Sequence, residues 1–152
     1  PTGFPWNRPR PSTMPASDAE GEISFRLRYR DDEAGGTGWL VLPLEVGRGY
    51  VLRLVPNLFA PRSAILAASL EELRARGLVA RDIRDLKTRG RRNVLRHLRI
   101  EGQTVPDVEV RIDPGALFRG TDGYLGQDFF FHHFAVICFD TRTFVMTLRR
   151  DA

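Results

Sequence analysis

The chain is 152 residues long and 42% of its residues are hydrophobic, which suits one folded domain with a substantial core. No apolar run approaches the roughly 18 residues of a membrane-spanning helix, and no secretory signal pattern is present, so we expect a cytoplasmic protein without a membrane segment. The formal net charge is +4, and the single cysteine excludes both an internal disulfide and a cysteine-based zinc site.

Residues 1–21 are rich in proline, with small and polar residues between the prolines, and this composition cannot form a packed core. We therefore predict a flexible tail or linker over 1–21 and a folded domain over 22–152. The folded part opens with alternating apolar and polar residues. This alternation predicts a half-buried strand whose core-facing residues are Ile23, Phe25, Leu27 and Tyr29.

Further strands are indicated by apolar segments between turn signals. Strands over 39–46 and 50–55 flank the turn Gly47-Arg48-Gly49 and predict an antiparallel hairpin. Strand material recurs over 94–100, 105–112 and 135–148, with turns at Glu101-Gly102, at Asp113-Pro114-Gly115 and near 140–142. In the last of these segments Cys138 is expected to pack as a small core residue. The predicted fold class is therefore mainly β.

One short helix interrupts the strands. Ser69 and Glu72 match a capping box at its start, and Gly77 matches a C-terminal cap. The overlapping segment 74–96 is rich in arginine and could contact nucleic-acid phosphates. Basic and acidic residues alternate in part of it, as they do on solvated surfaces. We therefore prefer the interpretation as surface charge and keep nucleic-acid binding as an alternative.

The strongest motif is Asp122-Gly123-Tyr124-Leu125-Gly126, followed by an aromatic-rich segment and a final strand. This order resembles the C-terminal part of retropepsin-like aspartic proteases, in which two hydrophobic residues and a glycine precede a short helix and a last strand. Tyr124, Leu125 and Gly126 fill that unit. The resemblance covers about residues 39–149 and implies a closed, β-barrel-like domain with one or two short helices. It also implies that the hydrophobic-glycine unit packs beside the catalytic loop.

The catalytic loop is where the chain departs from the family. The family has aspartate, threonine or serine, glycine and alanine, whereas the aligned positions here are Asn57, Leu58, Phe59 and Ala60. An amide at Asn57 cannot replace the carboxylate base, and Leu58 has no hydroxyl to brace two loops. The ring of Phe59 is expected to fill part of the old site. We therefore predict no catalytic residue and no aspartic-protease activity.

Other catalytic and metal chemistry is weakly signalled. Asp113 and Asp122 lie in loops of the second half, but no Asp-Thr-Gly or Asp-Ser-Gly triplet occurs. An active aspartic-type peptidase with an unorthodox dyad stays an alternative. His132 and His133 are adjacent on a predicted helix and point in different directions, so we expect neither a metal site nor a cofactor.

The resemblance also implies partners. Family members of this length supply half of a two-fold site, so we predict a homodimer. The candidate dimer contacts are Phe129, Phe130 and Phe134, for which ordinary core packing is the alternative. Such a dimer retains a groove that can hold an extended peptide or protein segment. The sequence therefore predicts an inactive retropepsin-like domain, a pseudoprotease, that serves dimerisation or peptide binding.

Overall fold

The computed structural model describes residues 21–31, 38–82 and 92–150, so nearly all of the predicted tail and part of the basic segment lie outside the described residues. Within these ranges the chain forms two short helices and thirteen strands. The helices are α1 (Ala67–Ala75) and α2 (Gln127–His133). The strands are β1 (Glu22–Arg26), β2 (Arg28–Asp31), β3 (Gly38–Val46), β4 (Tyr50–Pro56), β5 (Ala64–Ile65), β6 (Val79–Asp82), β7 (Arg92–Leu95), β8 (Leu98–Ile100), β9 (Gln103–Val105), β10 (Val108–Ile112), β11 (Gly123–Leu125), β12 (Val136–Asp140) and β13 (Val145–Arg149).

The described strands form two sheets. The larger sheet has the order β6-β7-β10-β5-β11-β4-β3-β8-β9, with β2 paired to the start of β3, and it curls into a half-barrel. The smaller sheet has the order β1-β13-β12. The predictions of a mainly β chain with one or two short helices, and of an antiparallel hairpin between β3 and β4, are confirmed.

Strand β11 brings the second half of the chain against the first. It lies between β4 and β5, which follow each other in sequence, and runs parallel to β4 and antiparallel to β5. In the register with β4, Leu125 lies opposite Pro56. Both strands end at that level, so the loop after β4 and the residue after β11 meet at one edge of the sheet.

The core lies on the inner face of the curled sheet and follows the period of two that strands impose. In the central hairpin, every second residue is fully buried, as at Leu42, Leu44, Leu52 and Leu54. Each such side chain contributes about 2 kcal/mol to folding. Helix α1 adds Leu70 and Leu73, and α2 adds Phe129 and Phe130.

The predicted capping box of α1 is wrong. The helix begins at Ala67 with Leu66 at the N-cap, two residues before Ser69. The Ser69 hydroxyl instead donates a hydrogen bond of 2.9 Å to Asp122 Oδ1. The predicted cap at Gly77 is confirmed: its φ is +69°, and the amides of Gly77 and Leu78 donate to the carbonyls of Arg74 and Leu73 in a Schellman motif.

Several strand boundaries differ from the prediction. The strand expected over 94–100 is split into β7 and β8, because His97 adopts a left-handed φ of +56°. The strand expected over 23–30 breaks at Leu27, and Tyr29 is 57% exposed and does not face the core. Cys138 is only half-buried, so its expected core packing is wrong. The turns at Glu101-Gly102 and after Asp140 form as predicted.

The buried side chain of Gln103 joins the two sheets by hydrogen bonds. Gln103, which is 5% exposed, accepts a hydrogen bond from the amide of Ser24 through Oε1 and donates one of 2.6 Å to the carbonyl of Ser24 through Nε2. The primary amide thus pairs with β1 as a neighbouring strand would. On the other side of β1, the hydroxyls of Ser24 and Thr147 lie 2.7 Å apart.

Candidate functional site

The candidate site consists of the loop over 57–62, here called the β4 loop, and of Tyr124, Leu125 and Gly126 at the end of β11. Two backbone hydrogen bonds join them. The amide of Asn57 donates to the carbonyl of Leu125, and the amide of Gln127 donates to the carbonyl of Ala60, both at 2.8 Å. The structure therefore places Tyr124, Leu125 and Gly126 directly beside the β4 loop.

Gly126 is where the two segments approach most closely. A Cβ atom at this position would lie 2.6 Å from the carbonyl oxygen of Ala60 and 2.8 Å from the carbonyl carbon and oxygen of Arg62. These atoms belong to the backbone and cannot turn aside as the end of a side chain can. Only glycine therefore fits between the β4 loop and α2 without displacing the loop.

Ser63 and Asp128 fix the far end of the β4 loop to α2. The buried Ser63 hydroxyl donates to Asp128 Oδ1 at 2.6 Å and accepts from the amide of Gly126 at 2.9 Å. The amide of Ser63 donates to Asp128 Oδ2 at 2.9 Å. Sequence reasoning did not assign Asp128 a role, because its partner is distant along the chain. The loop is thus held in one conformation by a network whose polar atoms satisfy one another.

The β4 loop also contains hydrogen bonds made by its own residues. Asn57 Oδ1 accepts a hydrogen bond of 3.2 Å from the amide of Phe59, which closes a turn within the loop. Leu58 packs partly against the core, and its carbonyl accepts from Gln127 Nε2 at 2.9 Å. The ring of Phe59 is 94% exposed. The ring therefore points away from the single chain, and its expected position in the old site stays a prediction.

The nearby carboxylates all accept hydrogen bonds that fix the backbone. Asp122 accepts from the amide of Arg53 at 2.8 Å and from the Ser69 hydroxyl. Asp113, which is 8% exposed, accepts from the amides of two residues in the loop that follows β10. With Asp128 bound to Ser63, each of these acids has a structural role, and none lies in the β4 loop.

Aromatic side chains lie next to the site on the outer face of the sheet. Tyr124 lies opposite Val55 in the strand register, and its ring meets Phe118 edge to face at 5.8 Å between centroids. Phe118 in turn meets Trp39 at 4.9 Å, and the Trp39 indole N–H is buried without a hydrogen-bond acceptor. Burial, and then the charges of Asp113 and Asp128, raise the pKa of Tyr124. Its hydroxyl is therefore uncharged near neutral pH.

The predicted dimer contacts are wrong for this conformation of the chain. Phe129, Phe130 and Phe134 are each at most 5% exposed, because they pack into the protein's own core and contact one another edge to face or tilted. The core alternative therefore holds for all three rings. Of the phenylalanines on α2, Phe131 is the exposed one, at 53%.

The adjacent histidines of α2 are both exposed and belong to no cluster of potential metal ligands within the described residues. Partial burial, the neighbouring His132 and the positive charge of Arg150 lower the pKa of His133. Neither α1 nor α2 is long and apolar enough to cross a membrane, and no other helix occurs in the described parts of the chain.

Comparisons with protein-family models, curated proteins and solved structures found no match. The site is a hydrogen-bonded loop at a strand end, without a carboxylate, from which one aromatic ring projects into solvent.

Proposed function

We propose that this protein is a catalytically inactive retropepsin-like domain that binds protein, either a second copy of itself or an extended peptide. The observation that carries the proposal is the placement of Asn57. It stands where the resemblance aligns the catalytic aspartate, in a loop joined by backbone hydrogen bonds to the Tyr124-Leu125-Gly126 unit. The insertion of β11 between β4 and β5 further supports this interpretation.

The chemistry of the loop argues against peptide hydrolysis. An aspartic protease needs a pair of carboxylates that share a proton and activate water. The Asn57 amide cannot accept that proton, and its oxygen already accepts from the amide of Phe59. Asp113, Asp122 and Asp128 each hold backbone amides in place. A role as general base would require one of them to give up these bonds.

The exposure of Phe59 supports a binding role. Phe59 is 94% exposed at the tip of a loop, so a partner that covers its ring gains about 2 kcal/mol. The β4 loop is held by Ser63, Gln127 and Gly126, so little conformational entropy is lost when the ring is covered. In the dimer that the resemblance implies, the two loops face each other across the two-fold axis.

The edge of the smaller sheet supports the same role. Of the described strands, only β13 pairs with β12, so the other edge of β12 has no ladder partner there. Phe139 on β12 and Phe144 in the following turn are 38% and 40% exposed and stack at 6.3 Å. A free strand edge beside exposed rings can pair with a strand from a second copy or from a peptide.

The assembly part of the proposal is tested by sedimentation velocity at two salt concentrations. We expect a dimer that persists at high salt, since the contacts are apolar. Phe59→Ser should weaken dimerisation about a hundredfold or more, because a two-fold interface loses two rings. The matched control is Val51→Ser, which changes a 44% exposed apolar residue on β4, the strand before the loop, about 20 Å from Asn57. A wild-type monomer at all concentrations would remove the dimer.

The catalytic part is tested by hydrolysis of denatured protein across acid and neutral pH. We expect no cleavage by the wild type above an Asn57→Ala control. A triple variant with Asn57→Asp, Leu58→Thr and Phe59→Gly restores the family's triplet and should gain cleavage that a statine-type transition-state analogue inhibits. Cleavage by the wild type that is lost in Asp113→Asn or Asp122→Asn would instead establish the alternative of an unorthodox peptidase.

A further inference from the structure

A small surface cavity lies on the outer face of the larger sheet. Its volume is about 170 Å³, and its lining comes from three strands that are separate in sequence. The lining residues are Arg28, Tyr29, Arg30, Val41, Pro43 and Arg53. Half of them are arginines, and none of the six belongs to the candidate site described above. The cavity is therefore a surface feature separate from the candidate site.

The strand register explains how guanidinium groups come to surround an apolar floor. Val41 and Pro43 are two residues apart on β3 and so share one face of that strand. Arg28 of β2 lies opposite Val41, and Arg53 of β4 lies opposite Pro43. Val41 is only 4% exposed and forms the base, whereas the arginines are exposed and form the walls.

The cavity coincides with a gap in the sheet. Strand β2 pairs with residues 38–41 of β3, and β8 pairs with Glu45 and Val46. Residues 42–44 between them pair with β4 alone among the described strands. Pro43 occupies the centre of this interval and has no N–H group to offer a further strand. A shallow open place therefore remains beside the edge of β2.

The charge of the cavity is not balanced by described residues. Among the side chains that the structure describes, no carboxylate forms an ion pair with Arg28, Arg30 or Arg53. Glu45, on the same face of β3 as Pro43, is paired with Arg99 at 2.8 Å. Asp122 is bound to the backbone of Arg53 and to Ser69. Three neighbouring guanidinium groups repel one another, and an oxyanion bound between them would relieve that repulsion.

The size of the cavity selects the kind of ligand. Sites for whole small-molecule ligands have volumes of about 300–1,000 Å³, so about 170 Å³ suits a single side chain. A floor of Val41 and Pro43 suits the methylene groups of that side chain, whereas bare phosphates would leave the floor uncovered. Residues 42–44 of β3 have no described strand partner on the side away from β4, so an extended chain can lie along this interval with a side chain over the floor.

From these observations we infer that this cavity, here called the arginine cavity, binds an acidic protein segment in extended conformation. A carboxylate side chain of the segment enters between Arg28 and Arg53 and covers Val41 and Pro43. Arg30 holds the next acidic side chain along the segment. This site rests only on the face formed by β2, β3 and β4, so it stands or falls independently of the retropepsin-like interpretation.

The test measures fluorescence anisotropy of a short rhodamine-labelled peptide of alternating glutamate and valine. A peptide with glutamine in place of glutamate is the probe control. We expect the glutamate peptide to bind and the glutamine peptide not to bind. The affinity should fall as added salt shortens the Debye length to about 10 Å or less. Arg28→Gln and Arg53→Gln should each weaken binding about tenfold, the effect of losing one charge-assisted hydrogen bond at an exposed site.

The matched control variant is Arg48→Gln, which removes the same charge at the exposed turn of the β3–β4 hairpin. It should change the affinity less than about twofold, because it lies beyond a Debye length from the cavity. Thermal unfolding verifies that all variants remain folded. The inference is overturned if the glutamate peptide does not bind, or if Arg48→Gln weakens binding as much as Arg53→Gln. It is also overturned if labelled oligothymidylate or inorganic phosphate occupies the site as tightly, which would make it a phosphate site.

Discussion

The close contact between Gly126 and the β4 loop predicts how much stability is lost in Gly126→Ala. In Gly126→Ala, the new methyl group would lie within 2.8 Å of three backbone atoms of Ala60 and Arg62. The φ of Gly126 is −105°, which alanine adopts freely, so the cost is steric and not conformational. Overpacking a buried position costs about 1–3 kcal/mol. Since all three contacts are with backbone atoms, and the carbonyl of Ala60 also accepts a hydrogen bond from the amide of Gln127, we expect a loss of about 3 kcal/mol in the free energy of unfolding.

Urea denaturation followed by far-UV circular dichroism measures this loss. Gly115→Ala is the matched control, because a Cβ atom at Gly115 meets nothing within 4 Å and its φ is not positive. That variant should equal the wild type or exceed its stability by about 0.5 kcal/mol. If the stability of Gly126→Ala stays within about 0.5 kcal/mol of the wild type, the β4 loop moves to accommodate an extra methyl group and is not held rigidly.

Three further results are expected. Ser63→Ala leaves the amide of Gly126 and one oxygen of Asp128 buried without their hydrogen-bond partner. Urea denaturation should show a loss of about 2–3 kcal/mol in the free energy of unfolding, and a smaller loss would contradict the network. Because burial raises the pKa of Tyr124, its contribution to stability is complete below the unfolded pKa of about 10 and is lost as the pH rises through the folded pKa. The tyrosinate absorbance of Tyr124, obtained as the difference between the wild type and Tyr124→Phe, should therefore appear above about pH 10. Titration of Tyr124 at or below that pH would contradict the raised pKa. Backbone hydrogen bonds lower the pKa of Asp140. The stabilisation of the β12–β13 turn by its carboxylate is therefore present above about pH 4 and is lost as the pH falls through the lowered pKa. The chemical shift of the Asp140 carboxyl group in NMR spectra follows this titration.

The elements that the sequence predicts correctly depend on neighbours in the chain. Alternation over the β3–β4 hairpin, the Glu101-Gly102 turn and the glycine cap after α1 each involve residues a few positions apart. Their physical causes, the period of two and the positive φ of glycine, act locally. Local patterns therefore sufficed for the mainly β class and for most of the strands.

The errors occur where a distant residue decides the outcome. Ser69 and Glu72 have the spacing of a capping box, but the hydroxyl of Ser69 bonds to Asp122, 53 residues away. The aromatic run of α2 indicates an apolar face without showing whether that face packs against the core or against a partner. In the structure, Phe129 and Phe130 are buried in the core.

The arginine cavity was also missed, for a related reason. Arg28, Pro43 and Arg53 belong to three strands, and only the register between those strands brings them together. In sequence, each is one arginine or proline among many. A search for paired outward-facing arginines on predicted neighbouring strands is the signal that could have found the cavity.

The pairing of β1 with β13 has a consequence for synthesis of the chain. The hydroxyls of Ser24 and Thr147, which face each other across this ladder, are 123 residues apart in sequence. During translation, β1 leaves the ribosome among the first described segments, yet its ladder partner is among the last. Gln103, 79 residues after Ser24, is available earlier. In a ribosome-bound chain that stops before Val145, β1 can therefore pair with the side-chain amide of Gln103 but not with β13. The apolar residues of β1 become fully buried only after β13 has been synthesised.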